Sequence, residues 1–456
     1  MTGQMEIYPF CGIRYNQKVV KDLAAVICPP YDVITPEQEK FYRQESSYNV
    51  IRLEHPAASR QPAASIYQRA AAIFQRWLEE KVLQFDGAPC FYLHDQYFTY
   101  LGKEKMRRGL MIRLKLAPWG NGMYPHEETS SRDKSDRLQV MRACQAGFSP
   151  LFCLYRDSKK EVATILSEIA QGAPVIDLTT NPEQSEKSGE RHIIWAITEP
   201  RLQQILRQLF LTKSVYMADG HHRYETALVY QREKMSSSLR GSGFASNSSS
   251  EFFNYVMVTL VEVSDPGLVI FPIHRLVRGI KPALIGKHSQ SVSPLLDRLE
   301  NFFTSELVPL SDSVLDALLS DSNGHPLMAG DYLFGVLGLK QGHLVLLRER
   351  EDVSLEDMVP VNRSQAYREL GISILSHVIL DKILGLPIDE ENIAYTVNIG
   401  EAYRRINNGE YQLAFLLKPP QPKTIEAVVN AGDRMPRKST YFYPKMPAGL
   451  VINSLK

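Results

Sequence analysis

Cysteine is scarce in this chain of 456 residues: there are five, Cys11, Cys28, Cys90, Cys144 and Cys153, an odd number with no C-x-x-C pair. That excludes a disulfide framework and gives no support to a zinc cluster, and it fits a reducing compartment, so a cytoplasmic location is expected. A dominant charge sign is also missing. Lys and Arg number 52 against 51 Asp and Glu, a formal charge of +1, which gives no global electrostatic grip on nucleic acid or on a membrane surface. Long apolar runs are absent as well: no segment approaches ~20 uninterrupted apolar residues, and the first residues lack a charged start followed by an apolar core. We therefore expect no signal peptide and no membrane span. There is no H-E-x-x-H, so a zinc protease is not supported.

What is present describes an ordinary globular protein, 44% hydrophobic and 23% charged. The length exceeds what one core usually serves, so two or three domains are expected. Strand and helix patterns alternate along the first half, which indicates α/β or α+β character. The expected organisation is an N-terminal α/β part over residues 1–235, a flexible Ser/Gly-rich insertion at 236–250, and a C-terminal α+β part over 251–456 that completes the site.

The chain is organised around SVYMADGHHRYETALVY at 214–230. Residues 214–218 read as a buried strand. From His221 onward Tyr224, Ala227 and Leu228 follow helical spacing, so the period changes at Gly220. A strand that turns through glycine into a helix leaves the first N–H groups of that helix without intrahelical partners, and their partial positive charge favours an anion. Asp219 is the expected N-cap, Gly220 allows close approach of a ligand, and His221, His222 and Arg223 add donors, Arg223 being able to grip two oxygens of one phosphate. The plainer reading has Asp219 capping, the histidines solvated and Arg223 paired with a carboxylate. Tyr224 and Glu225, on the first turn, are candidates for substrate contact.

Other polar constellations follow the same logic. In PPYDVI, at 29–34, two prolines stiffen the approach to Tyr31 and Asp32 before a Thr35-Pro36-Glu37 helix start. Asp32 is thereby placed to act as a general base or, equally, as a simple loop residue. The stretch YPHEETSSRDKSDRL at 124–138 holds His126, Glu127, Thr129 and Arg137; adjacent His126 and Glu127 suit orienting a hydroxyl or holding Mg²⁺, with Asp219 as a further metal candidate, and Arg137 suits phosphate. Ser149 stands at the start of a strand near 148–155. His274, in FPIHR, is a lesser candidate at a strand end. In DRMPRKSTYFYPK, at 433–445, Lys438 suits phosphate and Ser439 and Thr440 suit substrate, with aromatic rings shielding the site.

The string GHHRYETA resembles the G-x-H-R-x-x-A box of the ParB and sulfiredoxin superfamily, which includes free serine kinases and in which this turn binds nucleotide phosphates. Thr226 stands where the box has Ala, and Ala227 follows. Sulfiredoxins place their nucleophilic cysteine where this chain has His221, so sulfinic acid repair is not expected. The whole chain, through PPYDVI, HEET, DRL, FSPLFCLY, ADGHHRYETAL and MPRKSTYFYPK, looks like a bacterial family of unknown function, some of whose members are labelled ParB-like. The resemblance implies a ParB/sulfiredoxin-like core with a mixed sheet, to which a C-terminal α+β unit is added. It also favours functional roles for Asp32 and for the loop at 124–138.

Three readings stand side by side. The first is phosphoryl transfer on a small hydroxylated metabolite, with serine or phosphoserine suggested by the resemblance, a nucleotide or pyrophosphate as donor, Mg²⁺ sharing the charge, and Asp32, Glu127, His221 and His222 as the catalytic set. The second is a nucleotide-dependent DNA-partition switch. It would want a basic DNA-binding module, and the neutral charge balance speaks against one. The third is a metabolite-binding regulator without chemistry. The partner expected is a small phosphate-bearing molecule, and the oligomeric state is open.

Overall fold

A computed structural model describes residues 5–56, 63–128, 134–180, 189–241, 252–285, 293–319 and 330–456. By internal contacts the chain divides into two units. The first comprises Met1–Pro125, Thr129–Leu268 and Pro444–Lys456, the second His126–Glu128 and Val269–Tyr443. The division thus falls at Leu268/Val269, not within the Ser/Gly-rich stretch expected to separate the two parts. Of that stretch, 236–241 continue a helix and 242–250 lie outside the described residues.

The first unit is built on a mixed nine-stranded sheet. Its strands are β1 (Ile7–Tyr8), β2 (Phe91–Tyr100), β3 (Lys103–Lys115), β4 (Met123–Tyr124), β5 (Leu151–Tyr155), β6 (Ile176–Thr179), β7 (Arg191–Ile197), β8 (Val215–Asp219) and β9 (Tyr255–Glu262). They lie in the order β4-β8-β5-β9-β3-β2-β7-β6, with β1 on β3. Pairing is parallel for β8 with β4 and for β9 with β5, and antiparallel elsewhere. The expected α/β character with a mixed sheet is what the unit shows. The β2–β3 hairpin is tighter than the expected four-residue link over 102–105. Leu101 and Gly102 both take positive φ, 51° and 70°, the two-residue turn whose twist matches that of the strands.

Helices α1 (Pro36–Glu45), α2 (Ala63–Glu79), α3 (Lys134–Cys144), α4 (Glu161–Ile169), α5 (Pro200–Phe210) and α6 (His221–Gly241) belong to this unit. Thr35 begins α1 with a capping box, its hydroxyl accepting from Gln38 N–H while Gln38 accepts from Thr35 N–H. Tyr224, Ala227 and Leu228 of α6 enter one core with Leu151, Cys153, Met217 and Leu260, which is why the helical period of 221–230 could be seen in the sequence.

The second unit has a six-stranded, wholly antiparallel sheet, β10 (His274–Val277), β11 (Phe303–Pro309), β12 (Phe334–Leu337), β13 (His343–Glu349), β14 (Ile393–Thr396) and β15 (Leu413–Leu417), in the order β11-β13-β12-β15-β10-β14. The apolar spacing of Leu370, Ile374, Leu375, Val378, Ile379 and Ile383 predicts one long helix over 363–384, and a single helix does not form. The segment is three pieces, Gln365–Arg368, Gly371–Ile374 and a π-helical Leu375–Ile383, separated where Leu370 turns to an extended ψ of 128°. The apolar stripe survives the break: Leu375, Val378 and Ile379 are buried.

One polar pair lies inside the first sheet. His94 on β2 and His192 on β7 are each 1% exposed, with Nε2 of the first 3.0 Å from Nδ1 of the second. Burial, then His192 and Arg107, push His94 well below its ordinary value; burial and Arg107 push His192 down to about 3. The unfolded chain binds protons at these rings near pH 6.5 while the folded chain does not, so stability is present above pH 6.5 and is lost as pH falls toward 3. Denaturant titrations should therefore show a loss on the order of 2 kcal/mol from His192 between pH 7 and pH 5, reduced in His192→Gln. A stability flat over that interval would contradict this.

Candidate functional site

Strand β8 carries a bulge before its end. Met217 faces Cys153 on β5, but the next paired position is Asp219 with Phe152, so Ala218 is extra and the strand bends just before the turn. Gly220 follows with φ of 97°, and its carbonyl accepts from Tyr224 N–H at 3.0 Å, which makes Gly220 itself the N-cap of α6. Asp219, expected at that position, lies one residue earlier. Its oxygens go elsewhere: Lys445 Nζ donates to Oδ1 at 2.7 Å and Arg223 Nη2 donates to Oδ2 at 2.9 Å. Burial alone would raise the Asp219 carboxyl, but Lys445, then Arg223, hold it well below the usual carboxylate range.

Arg223 does not present a free fork. Its Nη1 donates to Ser149 Oγ at 3.0 Å and to Pro150 O at 2.9 Å, and Ser149 Oγ in turn donates to Glu54 Oε1 at 2.8 Å. The guanidinium lies against Gly220, where a Cβ would stand 3.1 Å from Nη2 and 2.6 Å from Leu151 Cδ2. Burial would lower the Arg223 pKa, yet Asp219 and then Asp32, Glu54 and Tyr31 keep it raised. Asp32 is thus exposed but within electrostatic reach of the turn. Tyr31, beside it in a short 3-10 turn, stacks under Arg137 at 3.9 Å, and burial pushes its hydroxyl above the ordinary range. Arg137 itself donates to Glu54 O and to Asp136.

Asp32, Tyr31, Arg137, Ser149, Asp219, Gly220, His221, His222 and Arg223 accordingly fall in one unit. His221 sits 6.2 Å from the Trp119 ring, and the His222 carbonyl accepts from Thr226 Oγ1. Glu225 is half-buried on the same turn. Tyr224 is different from expectation: it is fully buried, its ring 4.4 Å from Trp119 and its hydroxyl donating to Ala117 O, because the fourth position after Gly220 points into the core. A cavity of about 60 Å³ adjoins Ser149 and Arg223, with Glu54, Arg137 and Thr226 on its wall. Tyr230 also lines it, 2% exposed and with a hydroxyl that has no hydrogen-bond partner among the described residues.

His126, Glu127, His274, Lys438, Ser439 and Thr440 fall in the second unit. There Glu127 accepts the main-chain N–H of Lys438 at 2.7 Å and of Ser439 at 3.2 Å, while His126 Nε2 meets Thr440 Oγ1 at 2.7 Å. Arg275 Nη2 donates to the carbonyls of Arg437 and Lys438. Lys438 has φ of 59°, so these bonds brace a tight loop. His274 is 2% exposed and its Nδ1 accepts from Leu417 N–H, a packing role. Thr129 lies outside the described residues.

The donor set suits Mg²⁺ poorly. Both oxygens of Asp219 meet cations and both of Glu127 meet amides. Among the described residues no group of three or more His, Cys, Asp or Glu is placed to hold a metal. Glu54, a lone acid beside Leu53 in a short helix, escaped the sequence reading, whereas Lys445, one of the cations of the 433–445 loop that suit an anionic ligand, finds its partner 226 residues away. No helix among the described residues is long and apolar enough to cross a membrane.

The chain belongs to a family described as "Protein of unknown function (DUF1015)", whose profile matches residues 7–361. Comparison with curated proteins gave no match. Among solved structures, the fold is similar to a conserved hypothetical protein from Pyrococcus furiosus, with 13% identity, a TM-score of 0.32 and coverage of 76% of this chain and 95% of that one. It is also similar to a free serine kinase in complex with AMP, with 11% identity, a TM-score of 0.31 and coverage of 73% and 86%. A third is SbnI with C-terminal truncation from Staphylococcus aureus, with 9% identity, a TM-score of 0.32 and coverage of 74% and 84%.

The turn makes one stability claim. Gly220→Ala must hold a positive φ and push its Cβ into Leu151 and the guanidinium, so it should cost about 2 kcal/mol in denaturant unfolding. A change under about 0.5 kcal/mol would show that the turn relaxes freely.

Proposed function

We propose that the chain is a phosphoryl-transfer enzyme acting on a small hydroxylated metabolite, with serine as the first candidate. The observation that carries this is the joining, within one unit, of a helix N-terminus, two cations fixed about Asp219, and a small cavity with a polar end at Ser149 and Glu54. About 60 Å³ is room for roughly four to six water-sized groups, the scale of a compact metabolite and not of a macromolecule. The Tyr230 hydroxyl, without a partner among the described residues, offers that metabolite a hydrogen bond, and Glu54 offers a carboxylate to an ammonium group.

In this reading the phosphate of a nucleotide or pyrophosphate donor meets the first-turn amides of α6 and the charge of Lys445 and Arg223. Arg223, with three contacts already made inside the protein, positions the turn instead of wrapping the phosphate. Asp32, exposed and close enough to influence Arg223, accepts the hydroxyl proton as the oxygen attacks phosphorus and the donor's bridging oxygen leaves. His222 stands at the helix start beside the transferred group. Serine as the substrate rests on the resemblance of GHHRYETA to the box of free serine kinases. Glu127 is assigned no step, since its oxygens hold loop amides.

The test is direct. Incubation with serine and either ATP or pyrophosphate should yield phosphoserine by mass spectrometry. Asp32→Asn and Lys445→Met should each lower turnover at least about 100-fold without loss of fold. If no nucleotide, pyrophosphate or phosphoamino acid raises the melting temperature and no phosphoserine forms with either donor, the reading fails.

A further inference from the structure

A second, larger cavity of about 550 Å³ lies in the first unit, between β3, α2 and the segment around Phe10. Its wall is mostly apolar and aromatic, including Phe10, Phe74, Phe85 and Phe252, and two of these rings are left open, Phe85 at 53% and Phe252 at 44% exposure. Large open aromatic rings gathered at one concavity mark a place where something apolar binds.

A cation is buried in the same wall. Arg113 on β3 is 6% exposed, its guanidinium 5.3 Å from the Phe10 ring and 4.5 Å from that of Phe252. Nε donates to Asn453 Oδ1 and Nη2 to Ser454 O, both at 2.6 Å. Nη1 has no hydrogen-bond partner among the described residues, and no carboxylate pairs with the guanidinium there. The acid on the wall, Glu79, accepts instead from Gln75 Nε2. A charge taken out of water without a counter-charge is costly, and the burial pushes the Arg113 pKa down to about 10.

We propose that this cavity binds a small carboxylate with an aromatic body, its anion received by Nη1 of Arg113 and its ring packed among Phe10, Phe85 and Phe252. The volume falls in the range of pockets that enclose small organic ligands, and a buried, fixed cation in an aromatic wall, with the exposed Lys456 also on that wall, is an arrangement that orients such an anion. The site is separate from the turn at Gly220 and shares no residue with it, so its occupancy does not depend on the phosphoryl-transfer reading.

Cys11 supplies a local readout. It lines the cavity and is half-buried, whereas Cys28, Cys90, Cys144 and Cys153 are buried, so a thiol reagent reaches Cys11 first. With 2-naphthoate as the probe on the full chain, iodoacetamide labelling of Cys11, followed by peptide mass spectrometry, should slow in a saturable way. The neutral isostere 2-naphthamide should bind at least about tenfold more weakly. Arg113→Gln should remove that discrimination and Arg113→Lys should keep part of it. Should Arg113→Gln fail to fold, Phe85→Ser, at an open position, should still weaken naphthoate protection about fivefold. Protection by naphthamide equal to that by naphthoate, or no protection by either, would overturn the proposal.

Discussion

A single carboxylate holds the centre of the first unit together. Asp219 stands where a bulged strand ends and is shared by Lys445 and Arg223, so the residues after Pro444 are tied to the turn by charge as well as by packing. A carboxylate so placed cannot be lost without leaving two cations side by side, which is why the three groups behave as one. Once Arg223 is drawn to Asp219, its other nitrogen reaches Ser149 and Pro150, and Ser149 reaches Glu54. Gly220 is the condition for all of this. Only a residue without Cβ leaves room for the guanidinium while taking the positive φ that starts the helix.

The buried arginines of this unit show how differently one requirement can be met. Arg223 has Asp219; Arg137 has Asp136 and the face of Tyr31; Arg107 donates to Gln96 and Pro444 O and lies over the Phe152 ring. Arg113 has carbonyl oxygens and two aromatic rings. Carbonyls and ring faces satisfy donors but do not cancel a full charge, so Arg113, held by carbonyls and rings, is a cation whose surroundings call for an outside anion. That this same arginine borders the larger cavity turns an energetic deficit into an address for a ligand.

Much of this was legible from sequence wherever the signal is local. The period change at Gly220, the helix start at Thr35 and the buried face of α6 all depend on residues within a few positions of one another. The bond from Lys445 to Asp219 was not legible, because nothing in MPRKSTYFYPK says which of its cations leaves the loop. Glu54 was hidden for the opposite reason, an acid in an apolar setting whose purpose appears only when Ser149 is brought against it. The helix expected over 363–384 failed at Leu370. Its apolar spacing was right, but burial of Leu370 is achieved with an extended backbone, and no periodicity records that choice.

His126 and Glu127 show how the side chains of a polar cluster are engaged by the fold itself. Adjacent imidazole and carboxylate, followed at a distance by Lys, Ser and Thr, read as catalytic equipment. In the fold Glu127 satisfies two amides of a loop whose Lys438 takes a left-handed φ, and His126 holds the hydroxyl two residues on. Unpaired amides in a tight loop are expensive, and a carboxylate is the strongest acceptor available to quiet them. The turn at Gly220 differs in kind. Its carboxylate is occupied by the side-chain cations Lys445 and Arg223 and not by loop amides. What distinguishes the two clusters is therefore which groups their carboxylates neutralise, a property of geometry that residue type alone does not carry.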